Sequence, residues 1–138
     1  MMPPSAEQLI HAELRELRSQ VRGVYGSMVA TNDGFMVAED LPDPEPTRIA
    51  AIVATTLGLA RQAMRETGCG DFRESVTRGA DGYLAVFTAG GRAAIAVLGT
   101  NELNVGMLHY QVRELAKRVT HHLDHSVQSR RFLTPEDF

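Results

Sequence analysis

The sequence predicts an α/β (α+β) fold in which a five-stranded antiparallel sheet is sandwiched between helices. Three segments place apolar residues at the three- and four-residue spacing of amphipathic helices. Five short segments between them are rich in strand-forming residues, and turn motifs separate most of them. The predicted order is α-β-β-α-β-β-β-α, and 138 residues are enough for one domain of this kind.

The first helix and the first hairpin have clear boundary signals. A capping-box pattern begins at Ser5, and a glycine that can end the helix follows at Gly23. The apolar stripe between them consists of Ile10, Leu14, Leu17 and Val21. Two strand-like runs, 24–31 and 35–39, then flank an Asn-Asp-Gly turn, and an Asp-Gly pair in this position is typical of a tight hairpin.

The second helix, 47–66, lacks the charged face that a surface helix usually carries. Its apolar stripe is broad and has two arcs, one with Ile49, Val53, Leu57, Ala60 and Met64 and the other with Ile52, Leu59 and Ala63. The opposite side is predicted to hold a row of small residues, namely Ala50, Ala51, Ala54 and Gly58. We therefore expect this helix to pack both on its own sheet and on a second helix.

Three further strands and a last helix complete the domain. Residues 72–78 alternate Phe72, Glu74 and Val76 with polar side chains, as in an edge strand. The runs 83–88 and 93–98 carry apolar residues at both alternating positions, which predicts helices on both faces of the sheet. The last helix begins near Asn104, and its stripe extends from Val105 to Leu123. We expect a single domain at 5–125, with flexible tails at 1–4 and 126–138.

Composition and charge exclude several classes of protein. Fourteen Lys+Arg residues and 17 Asp+Glu residues give a net charge of −3, which does not favour a nucleic-acid partner. The uncharged stretch 49–60 is too short to span a bilayer as a helix, so no membrane insertion is expected. No secretory signal is recognisable, and the single cysteine, Cys69, favours a reducing compartment. A cytoplasmic protein is expected.

The sequence predicts no catalytic, cofactor-binding or metal-binding site, because none of the common motifs for such sites is present. The sequence has no phosphate-binding loop, dinucleotide fingerprint or serine nucleophile elbow. His121 and His125 share a helix face but lack an evident third metal ligand. An enzyme that uses Cys69 or these histidines is a minor alternative. Arg61 and Arg65, four residues apart beside the small-residue row, are candidate partner-binding residues.

Two segments resemble the roadblock/dynein light chain family, in particular its bacterial, GTPase-associated members. They are Gly-Val-Tyr-Gly-Ser-Met-Val-Ala-Thr-Asn-Asp-Gly-Phe at 23–35 and Asn-Val-Gly-Met-Leu at 104–108. The resemblance implies a profilin-like/roadblock layered architecture with one helix on one face of the sheet and two on the other. It also implies a non-enzymatic regulator or scaffold rather than an enzyme.

The resemblance further implies partners. Domains of this family form homodimers through the third strand and the second helix, which here gives the predicted interface Ala50, Ala51, Ala54, Gly58, Phe72, Glu74 and Val76. The implied partner is a small Ras-like GTPase of a bacterial signalling system, whose GTP hydrolysis the protein would activate or whose assembly it would support. A sensor histidine kinase of the same operon is a second implied partner. The alternative is a domain that senses a small ligand in a pocket between sheet and helix.

Overall fold

The computed structural model describes residues 2–43 and 45–131, and of residues 126–131 it describes only the backbone. The predicted order of elements is confirmed. The elements are α1 (Ala6–Gln20), β1 (Val24–Thr31), β2 (Met36–Asp40), α2 (Pro46–Thr67), β3 (Glu74–Gly79), β4 (Gly82–Ala89), β5 (Ala93–Thr100) and α3 (Val105–Arg131).

The five strands form one sheet in the order β2-β1-β5-β4-β3, and every neighbouring pair is antiparallel. Helices α1 and α3 pack on one face of the sheet and on each other, and α2 packs on the other face. Strands β4 and β5, which carry apolar residues at both alternating positions, are therefore covered on both sides, as the sequence predicts. Strands β2 and β3 are the two edges.

Local signals define the element boundaries. The side chain of Ser5 accepts a hydrogen bond from the Gln8 amide at 3.2 Å, and the Gln8 side chain accepts one from the Ser5 amide at 2.9 Å, which confirms the capping box. Gly23 has a φ of 95°, a conformation that favours glycine, between α1 and β1. At the start of α3, the side-chain oxygen of Asn104 accepts a hydrogen bond from the Met107 amide at 3.0 Å.

Two apolar cores hold the layers together. The larger lies between the sheet and the pair α1 and α3, where Ile10, Leu14, Ile95, Leu108 and Leu115 are almost completely buried. The smaller core lies under α2 and is built from the residues Met28, Ala30, Ala50, Val53, Leu57, Val86, Ala94 and Ala96. Because α2 packs mainly on β1, β2, β4 and β5, the edge strand β3 is mostly exposed.

Helix α3 continues to Arg131, whereas the sequence predicts a tail from residue 126. The apolar stripe does end near Leu123, but a helix needs backbone hydrogen bonds and not a stripe. Residues such as Gln128 and Arg130 have high helix propensity and can extend it. Residues 132–138 of the expected tail lie outside the described residues.

Candidate interaction surface on helix α2 and strand β3

Helix α2 has an inner face that belongs to the core and an outer face that is open. Val53 and Leu57 are at most 1% exposed and pack against the sheet. On the outer face, Ile52 is 47% exposed and Leu59 is 65% exposed. These two residues are seven positions apart and therefore lie along one line of the helix surface. The outer face presents large apolar side chains to solvent, which is typical of a contact surface.

The small-residue row predicted from the sequence divides between the two faces of α2. Ala51 and Gly58 are exposed and Ala54 is half-buried, whereas the expectation that Ala50 lies on the open side is wrong. Ala50 is fully buried beneath the helix, so its side chain is not available to a second helix. Ala51 and Ala54 lie beside the β1–β2 turn, where a Cβ added at Gly34 would be 3.4 Å from the Ala54 Cβ and 4.0 Å from the Ala51 Cα. Their small size lets this turn approach within the same chain. Among the described residues, no atom lies within 4 Å of a Cβ added at Gly58, so this side of the helix is open.

Strand β3 is an edge of the sheet, and among the described residues no strand pairs with its outer side. The Thr88 amide donates a hydrogen bond to the Arg73 carbonyl at 3.2 Å. Hydrogen-bonded positions alternate in an antiparallel pair, so Ser75 and Thr77 also direct their backbone groups toward β4. The backbone N–H and C=O groups of Glu74, Val76 and Arg78 therefore point away from the sheet. Such an edge is a template for pairing with another strand.

The side chains of β3 divide between the two faces of the sheet. Glu74 is paired with Phe87 and Val76 with Ala85, which places both on the face that α3 covers. Ser75 and Thr77 are paired with Val86 and Leu84 on the α2 face. Phe72 lies before the strand begins and packs against the core under α2. The alternation predicted for 72–78 is thus confirmed from Glu74 onward and wrong for Phe72.

Glu74 is held in place by helix α3. Its Oε1 atom lies 3.1 Å from Nε2 of His109, and both side chains are about 30% exposed. The His109 ring in turn packs edge-to-face on Phe87 with a centroid distance of 5.6 Å. Farther along β3, the guanidinium carbon of Arg78 lies 5.5 Å from the centre of the Tyr83 ring. Both charged side chains of the edge strand are therefore positioned on the α3 face.

Arg61 and Arg65 line one surface cleft. The cleft has a volume of about 460 Å³, and its other walls are the segment 70–72, Thr88 and the glycines of the β4–β5 turn. Arg61 is half-buried and Arg65 is exposed. Among the residues that the structure describes, neither arginine forms an ion pair. The two guanidinium groups can therefore donate hydrogen bonds to acidic groups of a partner.

The remaining candidate residues do not assemble into a chemical site. Cys69 is exposed, and the Thr67 hydroxyl lies 3.1 Å from its sulfur. The His121 and His125 rings stack with centroids 5.9 Å apart. Within the described residues, no group of three or more His, Cys, Asp or Glu side chains could hold a metal ion. No helix in the same part of the chain is long and apolar enough to cross a membrane.

The exposure of Ile52 and Leu59 is not predicted from the sequence. Both residues fit the broad apolar stripe, because α2 is apolar or small on almost every side. The available signal was their seven-residue spacing together with the polar Thr55 between them. The roles of Ser75 and Thr77 on the α2 face were also missed, because the strand register depends on pairing with β4.

Solved structures of similar proteins share this architecture. A Roadblock/LC7 domain from Streptomyces avermitilis is 27% identical, with a TM-score of 0.78 over 82% of this chain and 96% of that domain. MglB of Myxococcus xanthus shares the fold at 15% identity, with a TM-score of 0.80 over 91% of this chain and 96% of its own. Profilin II of Acanthamoeba castellanii is 14% identical, with a TM-score of 0.58 over 85% of this chain and 98% of its own, so the profilin-like architecture is confirmed.

The family model for the Roadblock/LC7 domain matches residues 10–99. That segment begins within α1, stops one residue before the end of β5 and contains all of α2 and β3. The chain therefore belongs to the Roadblock/LC7 domain family.

Proposed function

We propose that the protein is a homodimeric, non-enzymatic regulator or scaffold that binds a small Ras-like GTPase in a bacterial signalling system. The observation that supports it most is the exposed apolar stripe of α2 on a Roadblock/LC7 domain whose edge strand β3 is open. The GTPase as partner, a sensor histidine kinase of the same operon as a second partner, and a cytoplasmic location rest on the resemblance of the sequence to this family.

The homodimer would use β3 and α2 together. An edge strand has unpaired backbone N–H and C=O groups that can bond to another strand. Pairing with β3 of a second copy forms these hydrogen bonds without exposing a new edge. Gly58 supports close approach of a second helix because its side is open and carries no side chain. Ala51, which is exposed, and Ala54, which is half-buried, lie along the same flank of α2 as Gly58. Ala50 contributes only from beneath, through the core.

The GTPase would bind on the outer face of α2. Stable interfaces combine apolar side chains at the centre with a polar rim. Ile52 and Leu59 supply the apolar part. Arg61 and Arg65 lie on another side of α2, because Arg61 is only two residues from Leu59, and they supply cations at the rim near the end of the helix. Whether the protein accelerates GTP hydrolysis or only holds the GTPase, this surface is the one that we expect to be buried.

Capture from a lysate of the source cells tests the GTPase partner. The immobilised protein is incubated once with GDP and once with a non-hydrolysable GTP analogue, and retained proteins are identified by mass spectrometry. We expect a small GTPase that is retained in one nucleotide state and is lost with Leu59→Asp. The matched control is Leu9→Asp, which changes a half-exposed leucine on α1 at the opposite face and should retain the GTPase. The absence of any GTPase in both states would refute the proposal.

The substitution Gly58→Arg tests the homodimer. Because an added Cβ meets no atom within 4 Å, the isolated fold should accommodate the arginine side chain. The same side chain would place bulk and charge in the helix contact and should weaken self-association. Sedimentation velocity of the wild-type protein and the variant measures this. A wild-type dimer that is equally stable with Gly58→Arg would exclude this flank of α2 from the interface.

A further inference from the structure

We propose that two copies of the chain pair antiparallel along β3 in one specific register, with Val76 opposite the partner's Val76 and Glu74 opposite the partner's Arg78. The inference rests on the proposed homodimer and deepens it, since it names the residues that select one alignment of the two strands. The charged side chains of β3, Glu74 and Arg78, distinguish this alignment from the others.

The backbone of β3 limits the pairing partners. The hydrogen bond between Thr88 and Arg73 fixes which residues face β4, so the groups that are free to pair belong to Glu74, Val76 and Arg78. In a two-fold antiparallel pair, each of these residues must lie opposite a residue of the same set or its continuation in the partner. The possible registers therefore differ by steps of two residues along the strand.

The charges distinguish these registers. Centring the pair on Glu74 puts two carboxylates opposite each other, and centring it on Arg78 puts two guanidinium groups opposite each other. Like charges in directly opposite positions are destabilising. Centring on Val76 instead places a carboxylate opposite a guanidinium twice, once on each side of the two-fold axis, and opposite charges in this position are stabilising.

The remaining two registers form no pair of opposite charges, although the register centred on Thr77 pairs residues 75–79, as many residues of β3 as the Val76 register. Centring on Ser75 or Thr77 leaves one charged residue opposite Val76 and the other opposite a residue beyond β3. The Val76 register pairs the whole segment 74–78 of one copy with the same segment of the other. It also covers Val76, which is 41% exposed, and places Ser75 opposite the partner's Thr77 on the α2 face.

The side chains are already placed for this pairing. Glu74 and Arg78 both project on the α3 face, where cross-strand partners of one face meet. His109 engages Oε1 of Glu74, and the second carboxylate oxygen can accept a hydrogen bond from the partner's Arg78. The Tyr83 ring makes a cation–π contact with the guanidinium of Arg78 and holds it on this face.

Charge reversal tests the register. Glu74→Arg and Arg78→Glu each create like-charge pairs, so each should raise the dimer dissociation constant by about ten-fold. The double variant Glu74→Arg/Arg78→Glu restores opposite charges and should return to within about three-fold of the wild-type value. The control Arg15→Glu changes an exposed charge on α1 and should leave dimerisation unchanged. Sedimentation equilibrium gives the constants.

Disulfide trapping provides a second measurement that does not depend on the charged variants. In a Cys69→Ala background, Val76→Cys should form a disulfide-linked dimer on mild oxidation, because Cα atoms of a hydrogen-bonded antiparallel pair are about 5.5 Å apart. Ser75→Cys should not, because in this register it lies opposite Thr77 and not opposite itself.

The possible outcomes separate the register from the homodimer. A wild-type protein that is monomeric at all concentrations overturns the homodimer and the register with it. A wild-type dimer whose double variant is as weak as the single variants overturns the register alone. Cross-linking through Ser75→Cys but not Val76→Cys also overturns it, in favour of the register centred on Ser75.

Discussion

Two leucines on α2, two positions apart, should respond in opposite ways to truncation. Leu57 is 1% exposed and packs with Met28 and Val86 under the helix, whereas Leu59 is 65% exposed on the outer face. We expect Leu57→Ala to destabilise the fold and to leave the outer face intact. We expect Leu59→Ala to leave the fold intact and to weaken binding of the GTPase, or of the second copy, that contacts the outer face of α2.

The magnitudes follow from burial. Truncation of a fully buried leucine costs about 2–5 kcal/mol of unfolding free energy, because the apolar contacts are lost and a cavity remains. An exposed position of a helix changes by less than about 0.5 kcal/mol. About two-thirds of the Leu59 surface is still available to a partner. Its loss should therefore weaken binding by about 1–2 kcal/mol, or roughly 5- to 30-fold in the dissociation constant.

Urea unfolding followed by circular dichroism measures the first effect. Curves at two protein concentrations reveal any contribution of self-association, since the midpoint then depends on concentration. The dissociation constant for the captured partner, or for a second copy, measures the effect of Leu59→Ala on binding. Equal destabilisation by Leu57→Ala and Leu59→Ala would refute the orientation of α2, and with it the assignment of its outer face.

Two predictions concern glycine and capping positions. Gly23→Ala should lower the free energy of unfolding by at least about 1–3 kcal/mol, because φ is 95° and the new Cβ would be 2.6 Å from the Leu103 Cα. Gly58→Ala should instead stabilise the isolated domain by about 0.5–1 kcal/mol. Urea unfolding of both variants measures the two effects. Asn104→Ala should lose about 1 kcal/mol by removing the cap on the Met107 amide, and an unchanged melting temperature would contradict that role.

The sequence was sufficient to predict the order of elements, because the boundary signals are local. The capping box at Ser5, the Asp-Gly turn and the apolar residues at both alternating positions of β4 and β5 each depend on residues close to one another in the chain. The two-sided covering of the sheet followed from β4 and β5 alone. These features needed no knowledge of long-range packing.

The rotation of α2 could not be predicted in the same way. Nearly every side of the helix is apolar or small, so hydrophobic periodicity does not distinguish the buried Ala50 from the exposed Ile52. Which side faces the sheet is decided by tertiary contacts, such as the approach of the β1–β2 turn at Gly34 to Ala54. Phe72 was misplaced for a related reason, since pairing with β4 begins only at the following residues.

Residue-resolved amide hydrogen exchange tests the central claim, an interface formed by the free edge of β3, most directly. The Val76 amide points away from the sheet in a single copy, whereas the Ser75 and Thr77 amides face β4 and provide an internal control. The proposed dimer predicts that Val76 is protected at high protein concentration and loses protection on dilution, while Thr77 is protected throughout. Rapid exchange of the Val76 amide at every concentration would contradict pairing through this edge.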